Sequence, residues 1–346
     1  MIDYIIVGNG LAGIAFADIA LQNNKTIRVF DNNSQPSSRV AGGLYNPVVL
    51  KRFSEVWKAK EQLALSFALY DQMQDKLKVV FDYKITILRK LASIEEQNNW
   101  FQAADKPNLS NFLSPILHNK TYNHISSPFN YGQVNETGYV DVNGLITSYT
   151  SYLIKLGLFS PESFDYSAID FCEGFVAYKS SNARHIIFAE GFGLHANPFF
   201  NQLPLDGTKG ELLIIKAPNL QLDVIINAGL FIVPLGNQLY KVGATYNWAD
   251  KTNVPTQNGK LELIDKLNEV ISCDYEIVSH VAGVRPTVKD RRPLVGTHPD
   301  YAQLHVLNGL GTRGVMLGPY LAHQLFQHIE NNVPLEKEIN IARCYK

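Results

Sequence analysis

A glycine-rich turn near the start of the chain has the spacing of a dinucleotide-binding motif. Gly8, Gly10 and Gly13 form the pattern G-x-G-x-x-G directly after an apolar run at residues 4–7. In such a turn the first glycine permits a tight bend, the second lets a pyrophosphate approach the backbone, and the third lets the helix pack close to the strand. Asp31 follows about 20 residues later, where a carboxylate accepts hydrogen bonds from ribose hydroxyls. The motif predicts a bound dinucleotide, with FAD and NAD as alternatives.

The segments around this motif have the order of a β-α-β unit, which would hold these residues in place. Apolar runs at 4–7 and 27–30 predict two strands, and the Ala-rich pattern over 12–22 predicts a helix between them. The first turn of that helix would direct free N–H groups and the positive end of its dipole at the phosphates. We therefore expect Leu11 and Ala12 to contact the cofactor.

Two further junctions between a strand and a glycine turn follow along the chain. The run 185–189 ends at Glu190 and Gly191, and the run 304–307 ends in a Gly-rich turn at 308–314. Ligands of doubly wound folds bind beyond the carboxyl ends of the strands, so we expect the three junctions to converge on one extended ligand. Periodic apolar residues also predict helices over 54–78, 145–156 and 315–330.

The composition excludes several classes of function. The chain has 346 residues, 46% hydrophobic and 18% charged, with a formal net charge of −1, as is typical of a soluble globular protein. No cluster of Lys or Arg indicates general affinity for nucleic acid, and no apolar stretch reaches the roughly 20 residues of a membrane helix. Three widely spaced cysteines without a CxxC or zinc pattern, and no visible secretory signal, predict a cytoplasmic protein without a metal site.

Several motifs in collinear order resemble those of the D-amino-acid oxidase family of FAD-dependent oxidoreductases, in the manner of glycine and sarcosine oxidases. They are the turn at 8–13, the Gly-rich loop at 41–47, the GYVD element at 138–141, the turn at 206–211, GVRPT at 283–287 and DRRPLVG at 290–296. In its C-terminal segment, the turn at 309–314 with GPYLA at 318–322 is similar to the FAD oxidase domain of the bifunctional enzyme that matures methylaminomethyl-thiouridine in tRNA.

The resemblance implies an α/β fold with two domains. A Rossmann-like FAD-binding domain would be built from the discontinuous segments 1–80, 138–204 and 281–346. An α+β substrate domain with a mostly antiparallel sheet would comprise 81–137 and 205–280. FAD is expected to bind non-covalently, because no residue aligns with a flavin-attachment site of the family.

The activity implied by the resemblance is oxidation of the C–N bond of a small amino acid or secondary amine by hydride transfer to flavin N5. Arg285 is placed where the family holds the substrate carboxylate, which a guanidinium binds through two parallel hydrogen bonds. Arg313, at the start of the last helix, would add positive charge beside the anionic reduced flavin. Lys51 is the candidate for a lysine near the flavin face that assists the reaction with oxygen.

The predicted cofactor contacts extend along the whole chain. Gly42 and Gly43 are expected to let their loop approach the flavin ring. The complete set comprises Gly8, Gly10, Leu11, Ala12, Gly13, Asp31, Asn32, Arg39, Gly42, Gly43, Leu44, Glu190, Gly191, Gly309, Gly311, Thr312, Arg313, Gly314 and Val315.

Two other functions stay open at this point. One is FAD-dependent oxidation of a carboxymethylaminomethyl group on modified tRNA, which would need a basic rim around the mouth of the pocket. The other is a flavin-binding protein without turnover, which would lack the carboxylate-binding arginine. The sequence also leaves open the identity of the substrate, the electron acceptor and the oligomeric state.

Overall fold

The computed structural model describes residues 1–345, and six α-helices lie in that range. They are α1 (Leu11–Gln22), α2 (Ala59–Leu77), α3 (Ile94–Ala104), α4 (Val142–Lys155), α5 (Gln257–Asn268) and α6 (Gly314–Asn331). Short 3-10 helices lie at Tyr166–Ala168, Gly191–Ala196 and Ile341–Cys344. Within the described residues, we find no helix that combines the length and the apolar character needed to span a bilayer.

Twenty strands within the described residues form two large and two small sheets. In chain order they are β1 (Ile2–Val7), β2 (Ile27–Phe30), β3 (Leu44–Tyr45), β4 (Val48–Val49), β5 (Ser54–Glu55), β6 (Asp82–Lys84), β7 (Ile87–Lys90), β8 (Tyr131–Val134), β9 (Gly138–Val140), β10 (Phe159–Ser160), β11 (Ile169–Cys172), β12 (Phe175–Tyr178), β13 (Ser181–Phe188), β14 (Thr208–Lys216), β15 (Ile225–Asn227), β16 (Phe231–Gly236), β17 (Leu239–Gly243), β18 (Glu276–Arg285), β19 (Leu294–Thr297) and β20 (Leu304–Asn308). The small sheets are β3-β9-β6 and β4-β5.

The first large sheet carries the N-terminal glycine turn. Strands β10, β2, β1 and β13 lie side by side and parallel, and β20 runs parallel to the carboxyl half of β13. Tyr4 and Ile6 pack in a core with α1 and α6, whereas Ile5 and Val7 pack in a second core on the opposite face. Burial on both faces explains why β1 is an uninterrupted apolar run. The carboxyl ends of the parallel strands β10, β2, β1, β13 and β20 therefore meet at one edge of the sheet.

The second large sheet is mostly antiparallel, with the order β18-β14-β17-β16-β15-β7-β8 and a parallel pairing only between β7 and β15. One face packs against α5 through residues such as Leu213, Val242 and Leu263. Side chains on the opposite face, including Leu212 and Phe231, line a cavity described below. Alternation along the strands therefore separates a core face from a ligand face.

These elements confirm the predicted mixed α/β class and correct the starts of two helices. The helix predicted from residue 54 begins at Ala59, because Val48–Val49 and Ser54–Glu55 pair as a short antiparallel hairpin. The helix predicted over 145–156 begins earlier, at Val142, where the carboxylate of Asp141 accepts a hydrogen bond from the N–H of Gly144. The division into FAD-binding and substrate domains stays a prediction.

Candidate functional site

A cavity of about 970 Å³ lies between the two large sheets. The carboxyl ends of β1, β2, β13 and β20 line one side of it, and strands β14, β16 and β17 line the other. All three predicted strand-to-glycine junctions contribute residues to its walls. The structure thus brings together segments that are far apart in the sequence.

The first glycine turn presents backbone donors to this cavity. The N-cap residue Gly10 has no side chain to cap α1, and no acidic residue lies in its first turn, so the helix N-terminus stays suited to an anion; the N–H of Leu11 makes one long hydrogen bond, of 3.4 Å, to the hydroxyl of Ser38. A Cβ at Gly8 would lie 2.4 Å from the carbonyl oxygen of Ala189, and one at Gly13 would lie 1.9 Å from that of Gly8. Only glycine permits this close packing of β1, α1 and β13.

Three acidic residues lie at one end of the cavity, which we call the ribose end: Asp31, Glu162 and Glu190. Asp31 follows β2, and its carboxylate accepts hydrogen bonds from the backbone N–H groups of Asn9 and Asn33, each at 2.5 Å. Glu162 pairs with Nζ of Lys179 at 2.8 Å. These carboxylates are therefore held in place by protein donors before any ligand binds.

Glu190 is partly buried and lines the cavity. It accepts hydrogen bonds from Nδ2 of Asn197 at 2.7 Å and from the hydroxyl of Tyr166. Burial raises the pKa of Glu190 to about 7, although both hydrogen bonds act in the opposite direction. Among residues 1–345, no cation is close enough to offset the burial.

The loop after Ser38 passes along the cavity wall with two glycines. Gly43 has φ of +76°, and its carbonyl accepts a hydrogen bond from the N–H of Val140 at 2.9 Å. A Cβ there would lie 2.0 Å from the carbonyl oxygen of Val140, whereas one at Gly42 would meet nothing within 4 Å. Gly42 thus leaves open space in the cavity, and Gly43 fixes the loop against β9.

Arg285, at the end of β18, lies across the opposite end of the cavity. Its side chain covers Gly210, where a Cβ would collide with the guanidinium at 1.8 Å. Nη1 donates to the carbonyl of Thr245 at 3.2 Å, and Cζ lies 4.7 Å from the ring centre of Tyr246. Burial lowers the pKa of Arg285, but a guanidinium stays charged in proteins.

Arg313 is the N-cap residue of α6, and it also lines the cavity. The N–H of Gly311 donates to the carbonyl of Pro286 at 3.0 Å, which brings the α6 turn beside the end of β18. Burial lowers the pKa of Arg313, and the like charge of Arg52 acts in the same direction. Its side chain has no hydrogen-bond or ion-pair partner within the described chain.

Two lysines line the cavity in different surroundings. Lys51 is exposed at the rim, next to the exposed Arg52. Lys241, on β17, is partly buried, and its Nζ donates to the carbonyl of Ala41 at 3.2 Å. We call Arg285, Arg313 and Lys241 the cation end; within residues 1–345, no carboxylate lies within 4.0 Å of their charged nitrogens.

Most of the predicted site residues line this one cavity, and three do not. Gly13 lies behind the turn, in the contact between α1 and β1. The side chain of Arg39 donates instead to Asn143 and Thr147 on α4, at 3.0 and 3.2 Å. Gly309 packs against Val288, Pro293 and Leu294. The lining contains Gly8, Gly10, Leu11, Ala12, Asp31, Asn32, Gly42, Gly43, Leu44, Lys51, Glu190, Gly191, Arg285, Gly311, Thr312, Arg313, Gly314 and Val315.

The sequence prediction missed Lys241 and the two partners of Glu190. Lys241 lies in the segment LYKVG, whose alternation could have shown that Tyr240 and Val242 face the core and Lys241 the other side. Asn197 and Tyr166 carry no local signal, because they meet Glu190 only through the fold. The side chains that surround the cavity were therefore harder to predict than the glycine turns that line it.

The cavity fits the predicted cofactor. It combines a glycine turn that admits no side chain, a helix N-terminus for a pyrophosphate and a carboxylate at the end of β2 for a ribose. The turn before α6 supplies a second helix N-terminus without acidic residues in its first turn. These features together suit a long ligand with an anionic centre.

Comparison with known proteins gives a family match and distant relatives. The model of a family described as FAD dependent oxidoreductase (DAO) matches residues 3–327. Glycine oxidase of Bacillus subtilis is 27% identical over 165 residues, which cover 46% of this chain and 43% of that protein. A bifunctional protein for tRNA 5-methylaminomethyl-2-thiouridine biosynthesis from Marinobacter nauticus is 25% identical over 190 residues, 49% of this chain and 30% of that protein. The matches thus span less than half the length of these relatives.

Solved structures match over almost the whole chain at low identity. Glycine oxidase from Geobacillus kaustophilus superposes with a TM-score of 0.76 at 19% identity, covering 99% of this chain and 97% of its own. Iminodiacetate oxidase from Chelativorans sp. BNC1 superposes with a TM-score of 0.80 at 16% identity, covering 97% and 98%. These likenesses confirm the predicted fold class.

Proposed function

The chain belongs to the family of FAD-dependent oxidoreductases, and from this premise we propose that it oxidises the C–N bond of a small amino acid or secondary amine. The curated and structural relatives named glycine oxidase and iminodiacetate oxidase support an amine substrate. The product would be an imine, which water hydrolyses.

The residues that would hold FAD follow from the cavity. The α1 N-terminus would bind the pyrophosphate, Asp31 the ribose, and the loop at Gly42 would lie along the ring, with no covalent attachment. When bound, FAD supplies the two-electron acceptor, taking hydride at N5 from the carbon next to the amine. Arg313 and the α6 N-terminus would stabilise the negative charge that reduction adds.

The observation that carries the proposal is the environment of Arg285. Its guanidinium faces the cavity, and its one hydrogen bond, to Thr245, leaves most of its five N–H donors free. A partly buried cation without an acidic partner is unfavourable unless a ligand supplies the anion. A substrate carboxylate is the group that a guanidinium binds in two-point fashion. By holding the carboxylate, Arg285 would orient the substrate's adjacent carbon and its amine nitrogen toward the flavin ring.

Anaerobic titration of the FAD-loaded protein tests this proposal. We expect a small amino acid or secondary amine to bleach the flavin absorbance. Arg285→Met should raise the substrate concentration needed by about 100-fold or more, since a paired charge-assisted contact is lost, while FAD stays bound. A protein that binds FAD and is bleached by no amine would instead be a flavin-binding protein without turnover.

A second candidate, oxidation of a carboxymethylaminomethyl group on tRNA, is favoured by the composition of the cavity rim. Lys51 and Tyr246 line the cavity and are exposed, Tyr246 at 61%, and the nearby Arg52 and Trp248 are exposed as well, Trp248 at 43%. Exposed cations contact phosphates, and exposed aromatic rings stack on unpaired bases. The relative from Marinobacter nauticus named for tRNA thiouridine biosynthesis supports the same candidate.

The two candidates differ in what reduces the flavin. If the second is correct, tRNA carrying the modified base will bleach the flavin anaerobically and free glycine or sarcosine will not. Reversing the charge of Lys51 and Arg52 together should then weaken tRNA binding and flatten its salt dependence. Bleaching by a free amine alone, with no effect of the double change, would leave the first candidate standing.

A further inference from the structure

Lys241 is an unexplained cation in the wall of the cavity. Its Nζ has one described acceptor, the carbonyl of Ala41 at 3.2 Å. An ammonium carries three donors and no acceptor, so two N–H bonds of Lys241 have no partner among residues 1–345. Burial lowers the pKa of Lys241, and the carboxylate of Asp141 is near enough to raise it without contacting it. Such a group needs an anion or another acceptor from a ligand.

Lys241 and Arg285 lie on the same face of the second sheet. The guanidinium of Arg285 covers Gly210 on β14, and Lys241 pairs with Ile214, four residues further along that strand. At about 3.3 Å per residue, Gly210 beneath the guanidinium and Ile214 opposite Lys241 are separated by about 13 Å along β14, while the backbone of Arg285 itself pairs with Thr208, two residues further away. Both side chains line the cavity.

The surface between these two cations is small and apolar. Gly243 lies between them on β17 and pairs with Leu212, whose side chain covers it at a would-be Cβ distance of 1.9 Å. Phe231 and Val233 on β16 continue the same lining. A short aliphatic body fits such a surface, with a charged group at each end.

The number of cations exceeds what a single substrate carboxylate requires. Arg285 is matched to one carboxylate, and Arg313 with the α6 N-terminus is matched to the charge of the reduced ring. Lys241 lies on a different element and remains without an anion. We propose that the substrate is a small amine with two carboxylates, and that Lys241 is the specificity residue that binds the second. This inference rests on the proposed function of oxidising a carboxylate-bearing amine.

Two inert ligands that differ by one carboxylate test the inference on the FAD-loaded protein. Oxydiacetate carries a carboxylate at each end of an ether, and methoxyacetate replaces one of them by a methyl group; neither has an amine to oxidise. The measurement is the dissociation constant from the change in flavin absorbance, so no turnover is needed. We expect oxydiacetate to bind about tenfold more tightly than methoxyacetate or better.

Variants then assign the preference to Lys241. Lys241→Met should bring the ratio of the two constants close to one and leave methoxyacetate binding within about twofold. Lys216→Met, at an exposed lysine on the same sheet, should keep the wild-type ratio. Lys241→Arg retains the charge and should keep a preference for oxydiacetate. Because the wild-type ratio needs no variant, a Lys241→Met protein that fails to fold does not remove the test.

Three results would overturn the inference. Equal binding of the two ligands by the wild type would show that no second carboxylate is recognised, while the proposed function would stand. An unchanged ratio in Lys241→Met, with a shifted spectrum of the ligand-free protein, would show that the lysine serves the cofactor. If neither ligand perturbs the flavin and no amine bleaches it, the proposed function fails as well.

Discussion

The two ends of the cavity differ in how their charges are satisfied. At the ribose end, Asp31 accepts two backbone hydrogen bonds and Glu190 accepts two from side chains. At the cation end, Arg285 and Lys241 each contact a single carbonyl, and Arg313 has no described partner. Polar groups that are already paired form a fixed binding surface, whereas partly buried cations without anions are costly unless a ligand pairs with them.

This difference indicates a division between resident and transient ligands. The ribose end is completed by the protein alone, which suits a cofactor that stays bound through many turnovers. At the cation end, Arg285 and Lys241 lack anions, which suits a substrate that arrives and leaves with its own charge. The pattern of hydrogen bonds thus distinguishes the part of the cavity that suits a permanently bound ligand from the part that suits an exchanging one.

The largest expected effect comes from disturbing the contact between α1 and β1 at Gly13, which supports the glycine turn beside the ribose end. A Cβ in Gly13→Ala would lie 1.9 Å from the carbonyl oxygen of Gly8, and a backbone atom cannot move aside as a side chain can. Strain of this kind costs about 3 kcal/mol, which corresponds to a loss of FAD affinity of about 100-fold. The FAD content of the purified protein and titration of the apoprotein with FAD measure this loss.

A matched glycine change separates local strain from general instability. Gly174 has φ of +77° in an exposed turn with nothing within 4 Å of its would-be Cβ. Asparagine tolerates this backbone conformation, so Gly174→Asn should keep normal FAD content. Full FAD content in Gly13→Ala would show that the contact between α1 and β1 adjusts, and that the glycine turn is less rigid than its geometry indicates.

A smaller effect is expected at the cation end when Arg313 loses its charge. Arg313→Gln should leave FAD bound but make its reduction less favourable, because the partly buried positive charge near the α6 N-terminus is lost. We expect the midpoint potential to fall by on the order of 30 mV, equivalent to about 1.4 kcal/mol for a two-electron couple.

Arg52→Gln is the control for this measurement, because Arg52 is exposed and close enough to Arg313 to affect it. Because solvent screens an exposed charge, the midpoint potential of the Arg52→Gln protein should stay near the wild-type value. Equal shifts in the two variants would mean that total charge, and not the position of Arg313, sets the potential. The distinction between a paired and an unpaired end would then lose its link to redox chemistry.

The sequence predicted the glycine turn and Asp31 better than the cation end, for a physical reason. Gly8, Gly10 and Asp31 belong to one local unit, in which backbone geometry limits each position to few residue types. Arg285 could be assigned only by resemblance to a family. Lys241 required the pairing of β17 with β14, since a lysine in a strand is ordinarily a surface residue.

The same limit applies to the start of α2. Periodicity extended that helix to residue 54, but the pairing of Val48 with Glu55 removes the first residues into a hairpin. Pairing between two segments depends on tertiary contacts, which the helical periodicity of one segment does not reveal. Positions fixed by such contacts include the rim lysine Lys51, which lies in the loop that this hairpin closes.

The remaining prediction concerns Glu190, which can relieve its burial by taking up a proton, as an arginine cannot. Its folded pKa of about 7 lies above the ordinary value of 4.5 for a glutamate. The folded state therefore binds more protons than the unfolded state between these values. The stability contributed by the protonated carboxyl is fully present below pH 4.5 and is lost as pH rises through about 7.

Glu190→Gln should remove this part of the pH dependence, because an amide keeps the shape and never ionises. Between pH 5 and 8 we expect the wild-type free energy of unfolding to fall by about 2 kcal/mol more than that of the variant, or roughly 2–4 °C in Tm. Thermal unfolding of the FAD-loaded proteins at several pH values measures the difference. Glu162→Gln, at an exposed carboxylate of the same end paired with Lys179, should retain the wild-type slope. Parallel slopes for wild type and Glu190→Gln would show that Glu190 is ionised throughout, and that the ribose end holds a charge as costly as any at the cation end.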